Sequence, residues 1–304
     1  MSSETILIGG ETGGKSTFLG GLLYYFDRVA DLEHDIEFVY DRDFIVDDVY
    51  LQMSEEREYP PPTDEDDAYM LRIRVESGEL FPQVSTFEIM DFPGEYQFPS
   101  RPSDPLGDPL RHINPFARSE QQEIVERYET ELQPKLEDND APTDEEWRDI
   151  FEYHYRRSDT AICMLNLHKL LNEEGESDPE IIDSDEEDIL SVASGKSRKL
   201  VLVTACDVIG YDPDDFDGGG QSLLSGTVRD NQLAEEIENS VTLTEGHTVK
   251  KVLRQVRRND SNFSFLGVSV AAENPEEGNN IRSDPDTGGI EISGYEMVVQ
   301  WLMN

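Results

Sequence analysis

The run Gly9-Gly10-Glu11-Thr12-Gly13-Gly14-Lys15-Ser16 constrains this chain more than any other stretch of similar length. It follows the apolar-leaning Thr5-Ile6-Leu7-Ile8 and leads directly into Phe18, Leu19, Leu22 and Leu23. That spacing predicts a short buried strand, a glycine turn, and a helix over residues 16–26 whose first N–H groups point back at the turn. Glycines are required because the backbone must curl until several N–H groups face one anion, an approach that a β-branched residue would block. The pattern is G-x-x-x-x-G-K-[ST] with strand and helix in the required places, so the turn is expected to cradle phosphates. The candidate binding residues are Gly10, Glu11, Thr12, Gly13, Gly14, Lys15, Ser16 and Thr17. Lys15 would reach the β- and γ-phosphates, and Ser16 Oγ would ligate Mg2+. The competing reading is a glycine turn that merely caps a helix. Chance produces the pattern in roughly one chain of this length per hundred, and the flanking strand and helix lower that further.

Strand-like runs recur at residues 5–8, 68–75, 84–90, 161–167, 200–203 and 263–270, separated by segments long enough to hold helices. This alternation predicts an α/β fold with a mostly parallel six-stranded sheet. Ala161-Ile162-Cys163-Met164-Leu165 and Leu200-Val201-Leu202-Val203 are continuously apolar, as strands covered on both faces should be. Tyr69-Met70-Leu71-Arg72-Ile73-Arg74-Val75 alternates apolar and charged residues, which suggests an edge strand with one wet face. Residues 96–158 carry two helical patterns and are expected to form a helical insertion. Residues 172–199 read as an acidic, mobile excursion, and residues 211–222 as an Asp/Gly-rich loop. A single domain over residues 1–304 fits better than two.

The acid balance limits the partners. With 67 Asp+Glu against 25 Lys+Arg, the formal charge of −42 exceeds what solubility asks of 304 residues. Lysines number 7 and arginines 18, and acids occur in every segment. This balance resembles that of proteins from salt-loving archaea, where molar salt screens self-repulsion within about 3 Å. It argues against nucleic acid, since replacing counterions around phosphates takes a basic stripe; Arg156-Arg157 and Arg257-Arg258 are expected on solvated helix faces. No run approaches eighteen apolar residues, and Met1-Ser2-Ser3 begins neither a signal peptide nor a myristoylation site, so a cytoplasmic chain without membrane insertion is expected. Cys163 and Cys206 read as small core residues.

The run Phe87-Glu88-Ile89-Met90-Asp91-Phe92-Pro93-Gly94-Glu95 ends an apolar strand in Asp-x-x-Gly. An aspartate there can hold Mg2+ through water, and a glycine N–H three residues on can meet a γ-phosphate. Together with Gly9–Ser16, these residues resemble the small-GTPase superfamily, the Ras-like branch of P-loop proteins. Adding Pro60-Pro61-Pro62-Thr63, the match looks like the prokaryotic "double-GTPase" group of the translation-factor-related class. The resemblance implies a three-layer P-loop GTPase fold with one antiparallel edge strand. It also implies GTP or GDP as ligand, Mg2+ as cofactor, and a protein effector or activator as partner. Ser16, Thr63 and Asp91 match its metal positions, and Lys15, Thr63, Gly94 and Glu95 its catalytic ones.

The same resemblance places guanine readout at Thr204-Ala205-Cys206-Asp207, where Thr204 and Asp207 match and Ala205 replaces a lysine whose stem packs along the base. Ser269 and Val270 match the final base-contacting turn, which here lacks its lysine. Glu95 stands where Ras-like proteins place a water-orienting glutamine. A carboxylate adds negative charge beside a transition state that already carries it, so slow hydrolysis is expected. Two alternatives remain open: a nucleotide-bound scaffold that does not hydrolyse, and an ATP-using P-loop enzyme.

Overall fold

Ile6, Leu7 and Ile8 are fully buried in the first strand, β1 (Ser2–Ile8), because helices cover both faces of the sheet around it. The computed structural model describes residues 2–9, 14–30, 33–40, 44–60, 69–77, 83–91, 124–137, 142–168, 193–216, 227–241, 248–258, 263–274 and 280–303. After β1 come β2 (Glu33–Tyr40), β3 (Tyr69–Ser77), β4 (Gln83–Asp91), β5 (Thr160–Asn166), β6 (Arg198–Thr204) and β7 (Ser264–Gly267). They form one seven-stranded sheet in the order β2-β3-β4-β1-β5-β6-β7. β1 is parallel to β4 and β5, β6 is parallel to β5 and β7, and β3 runs antiparallel to both β2 and β4.

Two expectations need correction. The sheet has seven strands rather than six, and the alternating strand β3 is not its edge, because β2 lies outside it. β2 offers few apolar residues, yet Ile36 and Phe38 stand opposite Ile73 and Leu71 and extend the apolar face. On the other face Arg72 bonds Glu88 of β4 at 2.8 Å and Glu37 of β2 at 2.6 Å. Alternation reports that a strand has one polar face, and cross-strand ion pairs satisfy that face as readily as water does. The sixth apolar run also divides: β7 closes the main sheet, while β8 (Ser269–Val270) pairs with β9 (Ile292–Ser293) in a separate hairpin.

One helical layer holds α1 (Lys15–Tyr24), which continues as a wider turn over Tyr25–Val29, together with α2 (Phe44–Glu56) and α7 (Tyr295–Met303). Phe18 of α1 stacks on Tyr295 of α7 at 5.8 Å. Gly21 permits that approach, since a Cβ there would lie 2.1 Å from the Tyr295 hydroxyl. The opposite layer holds α3 (residues 124–137), α4 (Asp144–Arg157), α5 (Asn231–Ser240) and α6 (Thr248–Arg258). α3 and α4 lie in the segment read as a helical insertion, and their Tyr128, Leu132, Trp147, Ile150 and Phe151 pack in one cluster with Ile6, Ile8 and Cys163. Thr143 caps α4, with Glu146 accepting from Thr143 N at 2.7 Å. The bond from Lys135, with that cap, pulls the Glu146 carboxyl down to about 2.

α6 buries Val249, Val252, Leu253 and Val256 and carries Lys250, Lys251, Arg254, Arg257 and Arg258 on its other side. This is a local basic face that the chain-wide charge conceals, and Arg257 is bound to Glu238 of α5. Cys163 and Cys206 are both buried, as expected of core residues, and burial raises the Cys163 thiol to about 12. Among the described residues, no helix is long and apolar enough to cross a membrane.

His154 of α4 is 4% exposed, bonds Tyr128 Oη at 3.0 Å, and is held down to about 3 by burial and by the Arg157 charge. The unfolded chain therefore binds a proton here below about pH 6.5 that the folded chain refuses, so stability falls with pH through that window. The slope is about 1.4 kcal/mol per pH unit, or about 2 kcal/mol by pH 5. Denaturant titrations at pH 7 and pH 5 should show His154→Gln losing about 2 kcal/mol less than the parent chain over this interval. Equal losses would remove His154 from the account.

Candidate functional site

The chain leaves β1 for strands on one side of it and later returns to β5 on the other, so strand order reverses at β1. In an open α/β sheet the crevice at that point, beyond the carboxyl ends of the strands, is where ligands sit. Gly9 and Gly14, the described ends of the glycine run, lie at this point, directly after β1 and directly before α1. Gly9 follows β1 directly, and Lys15, only 8% exposed, folds back so that Nζ donates to the Gly9 carbonyl at 3.1 Å. A Cβ on Gly9 would stand 3.6 Å from the lysine stem, which shows how closely the stem lies along the backbone.

Gly14 precedes α1 with φ of +80°, a left-handed conformation that favours glycine. Space adds a second constraint: a Cβ there would lie 3.0 Å from Thr204 Oγ1 and 3.7 Å from Asn166 Nδ2. Gly14 therefore lies against the ends of both β5 and β6. Gly14 offers α1 no side-chain cap, and the first turn of α1 carries no acid. Backbone N–H groups at such a helix start, with the helix dipole behind them, favour an anion. Ser16 is nearly buried and Thr17 half-buried in this first turn.

A second group of residues lies where β6 and β7 end. Thr204 closes β6, and Ala205 takes φ of +59° to turn the chain into Cys206–Ile209. The Asp207 carboxylate accepts from the Ser269 hydroxyl through Oδ1 and from Ala272 N at 2.9 Å through Oδ2. Two segments matched separately to base recognition are thus joined by one carboxylate, and Thr204 links them to Gly14. Val270 lies beside Ser269 in β8.

Other expected residues are placed only in part. Asp91 ends β4, the neighbour of β1, and its side chain lies outside the described residues. Gly10, Glu11, Thr12, Gly13, Thr63, Gly94 and Glu95 also lie outside them. Among the described residues, no group of three or more His, Cys, Asp or Glu side chains is placed to hold a metal. A Mg2+ site of the expected kind needs no such cage, since serine and threonine hydroxyls, one carboxylate through water, and phosphate oxygens supply its ligands. Ser16, at the helix start beside the turn, fits that donor set.

No family model and no curated protein matches this chain.

Sequence reasoning missed three of these. Asn166 ends β5 beside the glycine turn, where an amide closing an apolar run was the available signal. Ala272 contributes only a backbone N–H, which leaves no sequence signal. Tyr59 reaches the residues around Asp207 and Ser269 from the segment after α2, with Oη donating to the Val270 carbonyl at 2.7 Å. Burial and the Asp207 charge push its phenol pKa upward. In the Asp-rich loop, Asp212 caps Pro213–Asp215 through Asp214 N, and Asp214 accepts from Gly294 N at 2.7 Å. These two acids serve as backbone caps; Asp217 lies outside the described residues.

Proposed function

We propose that this chain is a GTP-binding switch that hydrolyses GTP slowly to GDP and phosphate with Mg2+, and that it signals to a protein partner through the segments around Thr63 and Glu95. The observation that carries the reading is the pairing, beyond the carboxyl ends of the strands, of a lysine, Lys15, folded onto the Gly9 carbonyl at the start of α1 with a carboxylate, Asp207, held by Ser269. An N–H-rich helix start fits phosphates, and a fixed acceptor suits the N–H and exocyclic amine of guanine, which adenine cannot offer in that arrangement. Bound Mg2+ would neutralise charge between the β- and γ-phosphates. Lys15 orients the phosphates, Ser16 supplies a metal ligand, and Asp207 selects the base. Thr63, Asp91 and Gly94 complete the γ-phosphate contacts in this reading, and Glu95 sets the slow rate.

Titration calorimetry in molar KCl with Mg2+ tests the reading, with GTP expected to bind at least tenfold more tightly than ATP. Equal affinities would return the chain to a general P-loop role. Phosphate release followed over hours separates slow hydrolysis from the scaffold alternative, which predicts none.

A further inference from the structure

The segment after α2 is tied to the C-terminal hairpin at several points. Arg57 takes φ of +60°, its carbonyl accepts from Ile281 N at 2.8 Å, and its guanidinium bonds Ser283 and the Gly288 carbonyl. Glu58 forms an isolated bridge with Asn280, and Gln52 bonds the Tyr59 carbonyl at 3.3 Å. Tyr59 is thereby held with its hydroxyl on Val270.

The hairpin register decides what that bond does. Ala271 N donates to the Glu291 carbonyl, while Val270 stands opposite Ile292. In an antiparallel ladder successive residues turn their N–H and C=O to opposite edges, so both polar groups of Val270 face away from β9. The carbonyl on that outer edge accepts from Tyr59, and the Val270 N–H emerges on the same edge, next to Ser269 and its partner Asp207.

We propose that Tyr59 is a positioning residue for base recognition: by fixing the Val270 carbonyl it aims the Val270 N–H at the 6-oxo group of a guanine whose N–H groups are read by Asp207. This rests on the guanine reading above. It also gives this chain a base-side restraint of its own where Ala205 supplies no lysine stem, and places that restraint four positions before Thr63. A single donor aimed at one oxygen is a specificity device, because a base lacking the oxygen gains nothing from the alignment.

The test uses the full chain, Tyr59→Phe, GTP, and the triphosphate of 2-aminopurine riboside, which keeps the exocyclic amine and lacks the 6-oxo group. The phenyl ring retains the packing, so the fold should persist, which thermal melting checks. GTP affinity is expected to fall about fivefold to tenfold in the variant while 2-aminopurine triphosphate affinity stays unchanged. Unchanged GTP binding, or equal weakening of both nucleotides, overturns the role given to Tyr59. A parent chain that prefers GTP over ATP beside an unaffected variant isolates the failure to this proposal, whereas a parent chain without that preference removes the guanine reading and this proposal together.

Discussion

Replacing Lys15 with alanine is expected to lower affinity for GTP by about 100-fold or more while leaving the chain folded. Lys15 is 8% exposed and already bound to the Gly9 carbonyl, so its ammonium is presented to the turn with little conformational freedom left to lose on binding. Charge-assisted hydrogen bonds from such a group to phosphate oxygens are worth about 1.5–3 kcal/mol each, and about 2.7 kcal/mol corresponds to 100-fold. The stem lies against Gly9 at the sheet edge, outside the central packing of Phe18, Leu19 and Leu22, so truncation should cost little folding energy. Calorimetric titration beside circular dichroism in molar KCl reads both quantities. Retained GTP affinity in a folded Lys15→Ala chain would mean that phosphates do not bind at this turn.

The second large effect is a change of base preference. Asp207→Asn should weaken guanine nucleotides by about 100-fold and give measurable affinity for xanthine nucleotides. Asp207 accepts from Ser269 and from Ala272 N, and an asparagine can keep both neighbours, with its oxygen on Ala272 N–H and its amide donating to Ser269 Oγ. What the variant loses is a second acceptor for the guanine N–H groups. The amide instead offers a donor, which matches the 2-oxo group of xanthine and opposes the exocyclic amine of guanine. Discrimination of this size is expected when a polar group is left without its partner in a closed site. Competition of guanosine and xanthosine diphosphates for a fluorescent nucleotide measures it, and parent-like guanine affinity would show that Asp207 does not face the base.

The parts of this site that could be read from sequence are those whose chemistry is local. A strand, a glycine turn and a lysine at a helix start form one continuous run, so their spacing alone placed β1 before Gly9 and the start of α1 at Lys15. Asp207 was legible because it follows a continuous apolar strand, β6. The strand β2 was not, because Ile36 and Phe38 are too few to mark a period and its charges become intelligible only beside Arg72. The same pairing explains why β3 resembled an edge. Tyr59, Asn166 and Ala272 were missed for another reason. Each acts through a contact with a residue far away in the chain, and no periodicity within a segment encodes such a partner.

The helix that begins at Lys15 is made early in the chain and packed late. Phe18 lies on Tyr295, and Tyr24 Oη accepts from Ile290 N at 3.2 Å. Loop-closure entropy must be overcome across nearly the whole chain before these contacts form. A ribosome therefore releases β1 and α1 long before their partners exist, with Phe18 and Leu22 still lacking the surface that will bury them. The order of synthesis and the order of completion run in opposite directions, so β1 and α1, translated well before α7, are completed only once α7 has been made.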